Sequence, residues 1–122
     1  MSKDRVLRVE ELLKREISAI LLKDLEIPGL GFITITDVKA TRDLQQAKVY
    51  VSIYADQEKR EHALQQLKSH SREIHQILKP RLHMRYIPNL EFVLDTTAEY
   101  GDYIARRLME IKKQDEKRKR SR

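Results

Sequence analysis

The chain contains no cysteine, and that single absence removes several chemistries at once. There is no disulfide framework, no thiolate zinc site and no cysteine nucleophile, and a reducing compartment is the expected setting. Long apolar runs are missing too. Nothing approaches the ~18 consecutive residues that a membrane-spanning helix requires, and the amino terminus is an amphipathic charged segment, not a basic region followed by an apolar one. The chain is therefore expected to be soluble, cytoplasmic and not exported. Glycine is scarce, with three residues in all. Two of them, Gly29 and Gly31, fall in Ile27-Pro28-Gly29-Leu30-Gly31, but no Gly-Lys-Ser/Thr follows and no helix begins there, so a phosphate loop is not expected. Pro28-Gly29 instead suits the centre of a type II turn, with Gly29 at positive φ.

Metal and catalytic constellations are thin as well. The four histidines stand at 62, 70, 75 and 83, spacings that do not stack on one helix face, and no cysteine or paired carboxylate completes a shell. No Ser–His–Asp spacing rises above chance, and the acids between residues 89 and 102 lack a partnered base. No catalytic residue, metal, cofactor or small-molecule substrate is expected.

What the chain does have is charge. Its 122 residues are 40% hydrophobic and 36% charged, which suits one compact domain under a solvated shell. The net charge of +6 is unevenly placed. Residues 112–122, KKQDEKRKRSR, hold seven basic and two acidic side chains, a net of +5, while the other 111 residues hold 18 basic and 17 acidic ones, a net of +1. The tail has no apolar residue to bury and is expected to be disordered. Within the fold, residues 89–102 carry Glu91, Asp95, Glu99 and Asp102 with no base. A near-neutral domain with a basic patch, an acidic patch and a basic tail is dipolar and docks in a preferred orientation.

Hydrophobic periodicity orders the elements. Residues 3–22 predict an amphipathic helix with Val6, Val9, Leu13, Ile17, Ile20 and Leu21 on its buried stripe. Mixed charge on its polar face favours core packing over a membrane surface. Phe32–Val38 and Ala47–Tyr54 predict two strands, and the short polar connection favours an antiparallel hairpin. In the second, Ala47, Val49, Val51 and Ile53 alternate with Lys48, Tyr50, Ser52 and Tyr54. Asp56 suits the N-cap of a following helix, and periodicity alone gives one helix from about 57 to 79. Pro88 opens a third strand, Leu90–Leu94, with Leu90, Phe92 and Leu94 inward. Thr96-Thr97-Ala98-Glu99 is a capping box for a last helix bearing Tyr103, Ile104, Leu108 and Ile111, with Gly101 inside it. The order α-β-β-α-β-α predicts an α+β domain whose three-stranded sheet is covered on one face by helices.

Residues 68–87 are the functional focus. Lys68, Arg72, Lys79, Arg81 and Arg85 stand against one acid, Glu73. Leu64, Leu67, Ser71, Ile74 and Leu78 keep a helical beat, and Pro80 is expected to stop the helix. Leu82, Met84 and Tyr86 then alternate with Arg81, His83 and Arg85, the period of an extended segment with a basic edge. A helix buried on one side and basic on the other suits a polyanion, and a solvated helix face is the plain alternative.

Several residues in order and spacing resemble the ribosome-binding factor A family: Val38, Arg42-Asp43-Leu44, Ala47-Lys48-Val49-Tyr50-Val51, Arg85, Pro88, Leu90, Phe92, Asp95, Glu99 and Gly101. The resemblance spans residues 5–111 and implies a type II KH-like fold over residues 1–111. It implies a monomer that binds 16S rRNA in late precursors of the 30S subunit, near the 5′-end helix and the decoding region. It further implies a part in 16S maturation, often in cold adaptation, and departure before initiation. RNA contact is then expected from Lys68, Arg72, Lys79, Arg81 and Arg85, with the tail residues Lys117, Arg118, Lys119 and Arg120 adding sequence-independent attraction. Nucleic-acid-binding KH domains place a GXXG turn between two helices, and the family has an Ala-x-Gly kink there. Here that point reads His70-Ser71-Arg72, which leaves two outcomes: a nearly straight helix, or a kink eased by Ser71 bonding back to a carbonyl. A rival reading is a protein-interaction module docking through the acidic 89–102 segment or the Tyr50/Tyr54 face of the sheet.

Overall fold

A computed structural model describes residues 3–95. The elements run α1 (Lys3–Ala19), a single turn of π-helix (Ile20–Asp24), β1 (Phe32–Ala40), β2 (Gln46–Tyr54), α2 (Gln57–Ser69), α3 (Ser71–Leu82) and β3 (Asn89–Leu94). The predicted last helix with its capping box, and the tail, lie outside the described residues.

The first helix follows its apolar stripe, burying Val9, Leu13, Ile17 and Ile20, but it does not run on to residue 22 as an α-helix. Four residues beyond Ile20 stands Asp24, which has no place in the core. One extra residue in the turn, closed by Leu25 N–H donating to Ile20 O at 2.9 Å, brings Leu25 to the core instead. Pro28-Gly29 then turns the chain, with Gly29 at φ 80° as the turn demands.

The sheet has order β1-β2-β3, with β1 and β2 antiparallel and β2 and β3 parallel. The expected hairpin and strand–helix–strand crossover are both present. Inward pairs are Ile33 with Ile53, Ile35 with Val51, Val38 with Val49 and Ala40 with Ala47. That set changes parity between Ile35 and Val38, which requires one extra residue, and a bulge at Thr36 supplies it. Thr36 Oγ1 donates to Asp95 Oδ2 at 2.6 Å, tying the bulge to the end of β3 across the intervening strand. On the edge strand, Ala40 N–H donates to Glu10 Oε2 of α1 at 2.7 Å. In β3, Phe92 is fully buried and Leu90 and Leu94 are half-buried.

Three expectations about residues 57–86 are corrected. The single helix is two, because the chain breaks at His70 (φ −99°, ψ 8°). The helix also does not stop before Pro80 but continues through it to Leu82. Leu82 lies four residues beyond Leu78 on the buried stripe, and both side chains are buried. Burying a leucine is worth roughly 1.5–3 kcal/mol, comparable with the ~3 kcal/mol cost of an interior proline. Residues 81–86 are accordingly not an extended edge: His83 turns left-handed at φ 48° and a loop leads to β3. The buried stripe Ala63, Leu67, Ile74, Leu78 and Leu82 stays in helical register through the break, so α2 and α3 cover one face of the sheet together. This is the α+β, KH-like arrangement expected.

Candidate nucleic-acid interface

The break between α2 and α3 creates an open helix start in mid-segment. Asp56 caps α2, accepting from Lys59 N–H at 2.9 Å, and Arg60 is buried with its Nε and Nη2 donating to Ala55 O at 3.1 and 2.8 Å. At the other end, His70 N–H is shared between the carbonyls of Gln66 and Leu67 at 3.2 Å each. The Ser69 hydroxyl donates to Gln66 O at 2.8 Å, and His70 Nδ1 lies 2.7 Å from the same oxygen. Helical bonding resumes with Ile74 N–H donating to His70 O at 3.0 Å. α3 starts at Ser71 without a side-chain cap, and the first N–H groups of a helix have no partner within it, so such a start attracts anions. The kink is thus held by Ser69 and His70, two residues and one residue before the serine expected to hold it.

The predicted cations do not all share one fate. Lys68 closes α2 and Arg72 opens α3, so both flank the break, exposed. Lys79, seven residues beyond Arg72, returns to the same side of α3 and is exposed. Arg81 turns to α1: its Nη2 lies 2.9 Å from Asp24 Oδ2 and its Nη1 3.7 Å from Glu16 Oε2. Arg85 sits beyond the helix on the α3–β3 loop, exposed, its guanidinium 5.5 Å from the Tyr86 ring centroid. The four tail residues Lys117, Arg118, Lys119 and Arg120 lie outside the described residues.

Helix α1 brings two further cations, Lys3 and Arg5, near these residues. Arg5 and Arg85 line one cavity with the β1–β2 loop, and Lys3 and Arg42 line another beside Val6 and Leu7. Helical periodicity places Arg5 and Lys3 off the apolar stripe, and nothing further in the sequence marks them. Within the β1–β2 loop, Asp43 Oδ1 accepts from Thr41 Oγ1 at 2.7 Å and from Gln45 N–H at 3.1 Å. The Thr41 bond, then the Gln45 bond, hold the Asp43 carboxyl below its ordinary pKa. On the sheet, Tyr54 is exposed opposite exposed Phe32, and Tyr50 is half-buried. Of the acidic segment, Glu91 is exposed and Asp95 is bonded to Thr36; Glu99 and Asp102 lie outside the described residues. Among the described residues no group of three His, Cys, Asp or Glu is placed to hold a metal, and no helix is long and apolar enough to cross a membrane.

Known proteins are similar to this chain in sequence and in shape. The model of the ribosome-binding factor A family matches residues 5–108. Ribosome-binding factor A of Thermomicrobium roseum is 41% identical over 110 residues, covering 90% of this chain and 85% of that protein. Its counterpart in Brevibacillus brevis is 39% identical over 121 residues, covering 99% of this chain and 100% of that protein. The crystal structure of ribosome-binding factor A from Thermus thermophilus superposes with a TM-score of 0.64 at 31% identity, covering 73% of this chain and 93% of that chain. Coordinates of the Thermus factor fitted into a cryo-electron-microscopy map of its 30S complex match with a TM-score of 0.60 at 31% identity, covering 70% of this chain and 90% of that chain. On the strength of this match along most of its length, the chain belongs to the ribosome-binding factor A family.

Proposed function

We propose that this protein binds the 30S ribosomal subunit in its late precursors, contacts 16S rRNA, and assists 16S processing and maturation. It does so by binding alone, as a cytoplasmic monomer without a cofactor. Residues 1–111 form the KH-like ribosome-binding domain, and residues 112–122 form a basic tail. A relative fitted into a 30S complex supports the partner. The observation that carries the RNA contact is the open first turn of α3 between two exposed cations, Lys68 and Arg72.

Folded rRNA hides its base edges in a deep major groove and displays phosphates and 2′-hydroxyls, so a protein reads it by spaced charges and backbone donors. In this reading the N–H groups of Ser71, Arg72 and Glu73 meet a phosphate, as helix starts do, and Lys68, Arg72 and Lys79 meet its neighbours. Arg72 supplies charge where a glycine-based turn would offer bare backbone. Arg85 extends the contact from the α3–β3 loop, and the tail adds attraction without sequence preference. Arg81 contributes by holding α3 to α1.

Chemical footprinting of 16S rRNA in isolated 30S subunits tests this. Wild-type protein is expected to protect a discrete set of backbone positions, and Arg72→Glu to lose part of that set. Association that survives nuclease removal of accessible rRNA, with no backbone protected, would contradict the reading and favour a protein partner.

A further inference from the structure

A cavity of about 230 Å³ lies between the β1–β2 loop and the α3–β3 loop, lined by Arg5, Asp43, Leu44, Gln45, Met84, Arg85 and Tyr86. That is smaller than the roughly 300–1,000 Å³ of a pocket for a drug-sized ligand, and suits one planar ring. Its walls pair an aromatic with cations. Tyr86 is 63% exposed, and the Arg85 guanidinium stands 5.5 Å from its ring centroid. Arg–aromatic pairs of this kind are what unpaired bases stack upon.

The polar end of the cavity is also built. Thr41 Oγ1 and Gln45 N–H both donate to Asp43 Oδ1, and the residue's own backbone N–H also supports the carboxylate. These bonds fix the carboxylate to its own loop as a charged acceptor. Strain is concentrated at the same place. Among the described residues, the non-glycine residues at positive φ are Leu44 at 58° and His83 at 48°. One lies in each of the two loops that make the walls, and Leu44 is buried. Such conformations cost energy and persist where the surroundings hold them, often around ligand clamps.

We infer that this cavity receives one unstacked nucleobase of single-stranded RNA, laid on Tyr86, with its exocyclic amino group donating to the Asp43 carboxylate. The inference rests on the RNA-binding reading above and gives it a component that duplex shape alone does not provide. A carboxylate accepts from the amino group of cytosine, whereas uracil presents a carbonyl there and is repelled. Arg85 on the rim matches a phosphate beside the extruded base.

Fluorescence anisotropy of the full chain with labelled oligocytidine, oligouridine and a fully paired RNA hairpin tests it, alongside cosedimentation with 30S subunits. Wild type is expected to prefer oligocytidine to oligouridine. Tyr86→Ala is expected to weaken oligocytidine binding by about tenfold and leave the hairpin unchanged, whereas Tyr86→Phe keeps the affinity. Asp43→Asn is expected to narrow the preference. If wild type cosediments with 30S subunits while folded Tyr86→Ala binds every oligomer like wild type, the cavity inference is overturned alone. If wild type does not cosediment, the reading beneath it falls.

Discussion

Arg81 and Arg85 are four positions apart and equally basic, yet the fold uses them differently. Arg81 is drawn back onto α1 by Asp24 and Glu16, whereas Arg85 stays exposed beside an aromatic ring. The density of cations in 68–87 is plain in the sequence. Which of them is consumed is not, because both acids lie on a distant stretch of chain, in and just after α1, and only folding brings them across. Arg81→Ala is expected to lower stability by about 1 kcal/mol, the scale of a partly exposed ion pair, and to leave 30S binding within about twofold. Urea unfolding and cosedimentation together check this. Lost binding at unchanged stability would make Arg81 an RNA contact instead.

At the scale of elements, the departures from expectation are local defects in otherwise regular patterns. The bulge at Thr36 was legible in principle: Ile33 and Ile35 are odd-numbered, Val38 and Ala40 even-numbered, and one sheet face cannot bury both sets without an extra residue. The π turn was legible in the same way, from Asp24 standing where the stripe calls for an apolar side chain. The kink was harder to see, because the apolar stripe keeps its register through His70 and gives periodicity no reason to report a break. Its cause lies in side chains that compete for the carbonyls, Ser69 and His70 both reaching Gln66 O. Replacing Ser69, His70 and Ser71 together by alanine is expected to fuse α2 and α3, since alanine is the best helix former. Hydrogen exchange would then show protection gained at the amides of residues 71–73. Affinity for 30S subunits would fall roughly threefold to tenfold, the worth of a helix start facing an anion. Fusion of the helices with full affinity would remove the kink from the contact.

For the whole molecule, the α+β architecture was readable because it rests on long, strongly periodic segments and on turn chemistry at Pro28-Gly29 and Asp56. The candidate site was readable only in part. Its helical cations follow from composition along one segment, but the cavity joins residues from α1, the β1–β2 loop and the α3–β3 loop, a convergence that a linear pattern does not carry. The charge distribution bears on the molecule as a unit: the first 111 residues are close to neutral, so the proposed association with RNA is expected to rest on a few placed cations and on the tail, not on bulk charge. The most direct test is the salt dependence of binding to isolated 30S subunits, for wild type and for Lys68→Glu/Arg72→Glu/Lys79→Glu. If Lys68, Arg72, Lys79 and Arg85 each neutralise one phosphate, log K is expected to fall with log salt at a slope of at least about −3.5 in wild type, flattened by about 3 in the variant, at roughly −0.9 per contact. Equal slopes and equal affinities for the two proteins would contradict the account.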